Sequence, residues 1–160
     1  MAPAIDWLIT AGVVLPCVKA ATGQIPLKAF EERASFKLYN ADVGLLVQQA
    51  EIPKELILQA LPNIYLGAVT ENYAAQALTS NGFSLHYWTS KQTAEIDFLL
   101  QQGVEVIPVE IKRGTKVRSR SLTEYCKNNP VTKALRFSEK NFGKEGILYS
   151  MPLYSMFALK

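Results

Sequence analysis

Hydrophobic positions recur along this chain at two periods, near 3.6 and near 2, and the switches between them outline its elements. Pro3 opens a short helix with Ile5, Trp7, Leu8 and, further on, Leu15 as apolar positions, so "IDWLITAGVVLPCV" reads as a core helix followed by a strand. "VVLPCVKA" predicts that strand, ended by "ATGQIP", and "SFKLYN" predicts a second extended piece. Asn40 or Asp42 caps a helix over "VGLLVQQA", and Pro53 opens another over "KELILQAL". A longer helix is expected from Ile64 to Ser80. It carries Tyr65, Val69, Tyr73 (or Asn72) and Ala77 at helical spacing, with Asn81-Gly82 as its stop. "FSLHYWTS" is the next strand, then "EIDFLL" and "EVIPVEIK" form a hairpin that turns near Gln102 and Gly103. A helix over "SRSLTEYCKN", a strand over "KALRFS" and the closing "GILYSMPLYSMF" complete the chain. From Ile64 the order is α-β-β-β-α-β, which predicts an α/β fold with a mixed sheet flanked by helices. Residues 1–62 are expected to form a helical and extended segment packing on a core of residues 63–160.

The hairpin carries the chemistry. Glu110 and Lys112 are two apart and project from one face of their strand, with Asp97 opposite on the partner strand. Two carboxylates and an ammonium among apolar neighbours are costly to bury without a partner. A divalent cation shared by Asp97 and Glu110 is such a partner. An ordinary Glu110–Lys112 ion pair, or an Asp97 pairing with Lys91, would also serve. Glu95 alternates with Asp97 and would share its face, though an exposed charge at the strand entrance is the simpler reading. Pro108 cannot donate to a ladder, so it marks a bend, a bulge or a change of pairing just before Glu110. His86 is expected to be a half-buried strand residue, and Tyr87 and Trp88 to pack in the core.

Asp97 followed by Glu110-Ile111-Lys112 resembles the PD-(D/E)xK nuclease superfamily, in the form seen in restriction endonucleases and archaeal Holliday-junction resolvases. "GAVTENYAAQALTSNGFSLHYWTS" is similar to that superfamily's first core helix, with Glu71 as its acidic residue. Over roughly residues 4–159, "FKLYNADVGLL", "ENYAAQAL", "YWTSKQTAEIDFLL", "VIPVEIKRG" and "GILYSMPLYSMFAL" resemble the uncharacterised C-terminal domain of a prokaryotic AAA-type ATPase family. The resemblance implies a restriction-endonuclease-like core. It also implies a site of Glu71, Asp97, Glu110 and Lys112, with Mg2+ or Mn2+ held by Asp97, Glu110 and the Ile111 carbonyl. Glu71 would act through water or hold a second ion, and Lys112 would orient the attacking water or stabilise the transition state. An N-terminal nucleotide-binding module would be the partner. This chain has no glycine-rich phosphate loop and is expected to have no ATP site. "AIDWLITAGVV" matches the segment after that module, so Met1-Ala2 reads as a cloned start or a truncated gene.

Charge sharpens the picture. Residues 1–100 carry six Lys/Arg against nine Asp/Glu, whereas residues 101–160 carry eleven against five. Arg113, Lys116, Arg118 and Arg120 follow the candidate site directly and would contact a DNA backbone; a solvated loop and helix start is the alternative. With Cys17 and Cys126 far apart and His86 the single histidine, no zinc site is spelled out, and reduced thiols suit a cytoplasmic protein. No stretch reads as a membrane span or a signal peptide. Two functions stay open: a divalent-metal-dependent DNA phosphodiesterase, and a non-catalytic nucleic-acid- or protein-binding regulatory domain of the ATPase.

Overall fold

The computed structural model describes residues 3–59, 65–90, 94–114 and 120–159. Proline at the first position and a Thr10 hydroxyl donating to the Asp6 carbonyl (2.8 Å) frame α1 (Pro3–Thr10). The helix forms where expected but is not a core helix. None of its residues is buried, and Trp7, off the stripe made by Ile5, Leu8 and Ile9, is 77% exposed.

β1 (Val14–Ala20) and β2 (Glu31–Asn40) pair antiparallel, linked through a 3-10 turn at Leu27–Phe30 whose Leu27 amide donates to the Gln101 side chain (3.0 Å). Asp42 caps α2 (Val43–Gln49) by accepting from the Leu45 amide (2.9 Å), and Pro53 precedes α3 (Lys54–Leu58). α4 (Tyr65–Ser80) ends at Asn81-Gly82 as the sequence predicts. Gly82 takes φ +86°, and the Phe83 amide reaches back to the Leu78 carbonyl (3.1 Å), closing the last turn.

β3 (Leu85–Thr89), β4 (Glu95–Gln102) and β5 (Glu105–Ile111) follow as an antiparallel meander. The β4–β5 loop is Gly103-Val104, with positive φ at Gly103, which suits a tight two-residue hairpin. Pro108 lies opposite Leu99 on β4, one residue before β5 begins to pair on its other side with β6 at Val109. α5 (Arg120–Asn128), β6 (Ala134–Ser138), β7 (Gly143–Glu145) and β8 (Leu148–Pro152) complete the fold, with a 3-10 segment at Leu153–Ala158.

Among the described residues, eight strands form one sheet in the order β2-β1-β3-β4-β5-β6-β8-β7. It is mixed: β1–β3, β5–β6 and β6–β8 run parallel, and the other pairs antiparallel. The fold is thus the expected mixed α/β arrangement, and α4-β3-β4-β5-α5-β6 is the α-β-β-β-α-β order. β1 and β2, from the first forty residues, extend the same sheet. One face packs Cys17, Tyr39, Tyr87, Phe98, Leu100, Val109, Ile111 and Phe137 beneath the small side chains Ala74, Ala75 and Ala77 of α4. The other packs Ile96, Leu99 and Ala134 against Leu122 and Tyr125 of α5, with Trp88 edge-on to Tyr125. His86 is buried rather than half-buried, its Nε2 3.1 Å from Glu31.

Candidate metal centre

A single irregularity in β4 sets the geometry. His86 pairs with Leu99 and Trp88 with Ile96, so Tyr87 alone faces two residues, Asp97 and Phe98. That is a β-bulge, and it re-aims a side chain. Without it, the β4–β5 register would place Asp97 beside Glu110 on one face, as the hairpin alone predicts. With it, Asp97 turns to the α4 face alongside Glu95. There Glu71, on the side of α4 that meets the sheet, joins them. Carboxylate oxygens of Glu71, Glu95 and Asp97 lie within 4.8 Å of one another.

β2 closes the cluster. Lys37 Nζ lies 2.9 Å from Glu71 and also bonds Glu95, and the Tyr39 hydroxyl donates to the same Glu71 oxygen. Lys37 and Tyr39 are two apart, so one strand face presents both. The Lys37 ammonium also sits 5.1 Å from the centre of the Tyr87 ring. Asp97 accepts from the Ile111 amide (2.7 Å), which ties the acid to β5.

Burial pushes the Asp97 carboxyl up to about 6; the Ile111 amide opposes this, Glu71 adds to it, and Lys112 and Lys37 pull the other way. For Lys37, burial lowers the pKa, but the bonds and charges of Glu95 and Glu71 outweigh it and the ammonium is held more firmly than usual. Burial, then the charge and bond of Glu71, raise the Tyr39 phenol well above its ordinary value, so it stays a donor. Cys17, opposite Lys37 in the β1–β2 register, is fully buried, and that burial raises its thiol far enough to make it inert.

Glu110 has a different fate. Val109 and Ile111 pack in the core under α4, so strand alternation turns Glu110 to the face covered by α5. It is 2% exposed, bonds Lys112 (3.2 Å) through one oxygen, and its other oxygen finds no hydrogen-bond partner. The shared Asp97–Glu110 site is therefore corrected to a Glu71–Glu95–Asp97 cluster, with Glu110 and Lys112 forming the same-face ion pair. Ile111 meets Asp97 through its amide. The Lys112 ammonium remains near enough to lower the Asp97 pKa.

Of the four basic residues, Arg113 is half-buried and Arg120 is exposed at the first turn of α5; Lys116 and Arg118, like Lys91, lie outside the described residues. Sequence reasoning missed Lys37 and Tyr39. Their two-residue spacing in "SFKLYN" was the available signal. It also favoured solvent for Glu95, which is nearly half exposed yet belongs to the cluster. Among the described residues no helix is long and apolar enough to cross a membrane.

Residues 66–156, more than half of the chain, match the family described as a domain of unknown function (DUF4143), and the chain belongs to that family. No curated protein and no solved structure matches it. The three clustered acids, Glu110 and Lys112 all fall inside the matched stretch. Lys37 and Tyr39 fall outside it.

Proposed function

We propose that this domain binds one divalent cation, Mg2+ or Mn2+, between Glu71, Glu95 and Asp97, and that it acts on nucleic-acid phosphodiester bonds as a module attached to an ATPase. The observation that carries the reading is the charge and spacing of the cluster. When ionised, three carboxylates against one ammonium leave an excess of two negative charges, the amount one such ion neutralises. Oxygen ligands about 2.0–2.6 Å from an ion are at most about 5 Å apart, which these carboxylates satisfy. A bound ion would supply Lewis-acid polarisation of a phosphoryl oxygen and a more acidic water.

The chain's own residues have separate parts in this reading. Asp97, anchored by the Ile111 amide, fixes the ligand set to the sheet. Lys37, now paired with Glu71 and Glu95, would be freed toward a phosphate if those acids held an ion, and Lys112 stands as a second cation near Asp97. Tyr39 keeps Glu71 oriented.

The test is calorimetric titration of the domain with Mn2+, beside Glu71→Gln and Asp97→Asn. Binding that weakens at least tenfold in each variant supports the centre, and equal binding by all three removes it. Cleavage of labelled DNA and RNA in Mn2+, lost in Asp97→Asn, would then establish the reaction.

A second reading draws on Glu110 and Lys37. With Glu110 turned to the other face and Lys37 already between two of the acids, the cluster also suits a permanent ion-pair network in a binding or regulatory appendage. Ordered Lys37–Glu71 contacts that persist unchanged in saturating Mn2+ would favour that account.

A further inference from the structure

Away from the acids, the opposite edge of the sheet carries two lysines converging on one aromatic ring. Lys144 lies directly across from Tyr149 in the β7–β8 register, its Nζ 4.8 Å from the ring centre. Lys133, just before β6 on the other side of β8, brings its Nζ to 5.8 Å from the same centre. Each contact is a cation–π interaction, but together they hold two like charges beside one ring. Neither lysine has an ion pair with a carboxylate among the described residues. Converging ammoniums without an acid between them are stabilised by a bound anion. Phe142, two residues before Lys144 and just ahead of β7, is a 63% exposed aromatic surface. From Lys133 to Tyr149 the sequence carries four basic residues against two acidic ones.

We propose that this edge binds single-stranded nucleic acid, with Lys133 and Lys144 holding successive phosphates and Phe142 stacking on a base. Aromatic surface interleaved with cations is what such strands recognise without sequence preference, because every base has a stacking face and every linkage a charge. The Tyr149 ring organises the two ammoniums at a spacing below about 11 Å, the sum of their distances from its centre, which spans one or two linkages of an extended strand. The site uses none of the metal-cluster residues and needs no ion.

The experiment is fluorescence anisotropy of a labelled oligothymidylate of fifteen nucleotides titrated with the full chain in EDTA, at several salt concentrations. Because no metal is present, its failure is separate from failure of the metal centre. Lys133→Ala with Lys144→Ala should weaken binding about tenfold or more at low salt and make the log–log salt slope shallower by about 1.4, since each contact to a single strand contributes about 0.7. Phe142→Ala should weaken it about tenfold with the slope unchanged. Lys54→Ala, an exposed lysine on α3, controls for loss of bulk charge and should bind as the parent does. The proposal is overturned if the parent shows no affinity at low salt or if the double variant matches Lys54→Ala. An unchanged affinity in Phe142→Ala, with equal competition by inorganic polyphosphate, overturns the nucleic-acid assignment.

Discussion

The two faces of this sheet treat carboxylates in opposite ways. Under α4, three acids gather around one lysine at the margin of the core, partly open to solvent. Under α5, Glu110 is sealed from solvent with Lys112 as its ion-pair partner and Arg136 across from it in the β5–β6 register. The first arrangement is electrically unfinished and the second is nearly closed. The residue that could have belonged to either is Asp97, and one extra residue in β4 against Tyr87 assigns it to the first. A cluster's capacity for a cation is thus decided by strand register as much as by which acids the sequence contains.

The sharpest way to break this comparison is to remove Lys37, the ammonium paired with two of the acids. Lys37→Met should destabilise the metal-free domain by about 2–3 kcal/mol, because it leaves half-buried carboxylates uncompensated. Millimolar Mn2+ should restore most of the loss in urea denaturation. A loss that Mn2+ does not recover would mean that the acids are no cation site.

Comparable in size is a pH effect from Asp97. Its folded pKa of about 6 lies above the unfolded value near 3.8, so protonation favours the folded state. The contribution is complete below about pH 4 and is lost as pH rises through about 6. At about 1.4 kcal/mol per pKa unit this is on the order of 3 kcal/mol at most. Asp97→Asn should therefore stabilise the metal-free domain at pH 7.5 and have little effect at pH 4. A stability difference between the two proteins that stays flat across that range would contradict the assignment. In the parent, Mn2+ affinity should decline as pH falls below about 6.

Tyr39→Phe removes one hydrogen bond to Glu71 and should cost about 1 kcal/mol. The same substitution should weaken Mn2+ binding only a few-fold, since Tyr39 orients a ligand without being one. Calorimetry and chemical denaturation on the same variant measure both.

The smallest effect is expected on the closed side. Glu110→Gln should change stability by less than about 1 kcal/mol, because relief of a buried carboxylate with one unpartnered oxygen offsets loss of the Lys112 pair. It should leave Mn2+ affinity within about twofold of the parent. An affinity loss matching that of Asp97→Asn would join the two faces into one site and restore the hairpin arrangement.

The order of elements was legible in the sequence because its punctuation is local. Asn81-Gly82 ends α4 and Gly103 turns the hairpin by their own backbone preferences, whatever the rest of the chain does. Asp97 and Glu71 were legible as acids on a strand and a helix that had to meet. The bulge was not, since it depends on β3, a strand that the hairpin pattern says nothing about. Lys37 was missed for the same reason: β2 reaches the β4 acids only across β1 and β3. The exposure of α1 escaped as well, because helical spacing alone does not say whether a sheet has surface left to cover it.

The pairing of β1 with β3 joins Cys17 to Leu85 and Val18 to His86, contacts separated by more than sixty residues. Such contacts must overcome loop-closure entropy before they are rewarded. Until they form, β2 cannot deliver Lys37, while Glu95 and Asp97 stand together on one strand from the moment β4 is made. Before that pairing, the acids repel one another with Lys37 absent and, among the described residues, only Lys112, just after β5, near Asp97. An external cation, present at that stage, would accelerate closure of the sheet and then be displaced or retained as Lys37 arrives. The refolding rate of this domain should accordingly respond to divalent ions even where its final structure does not.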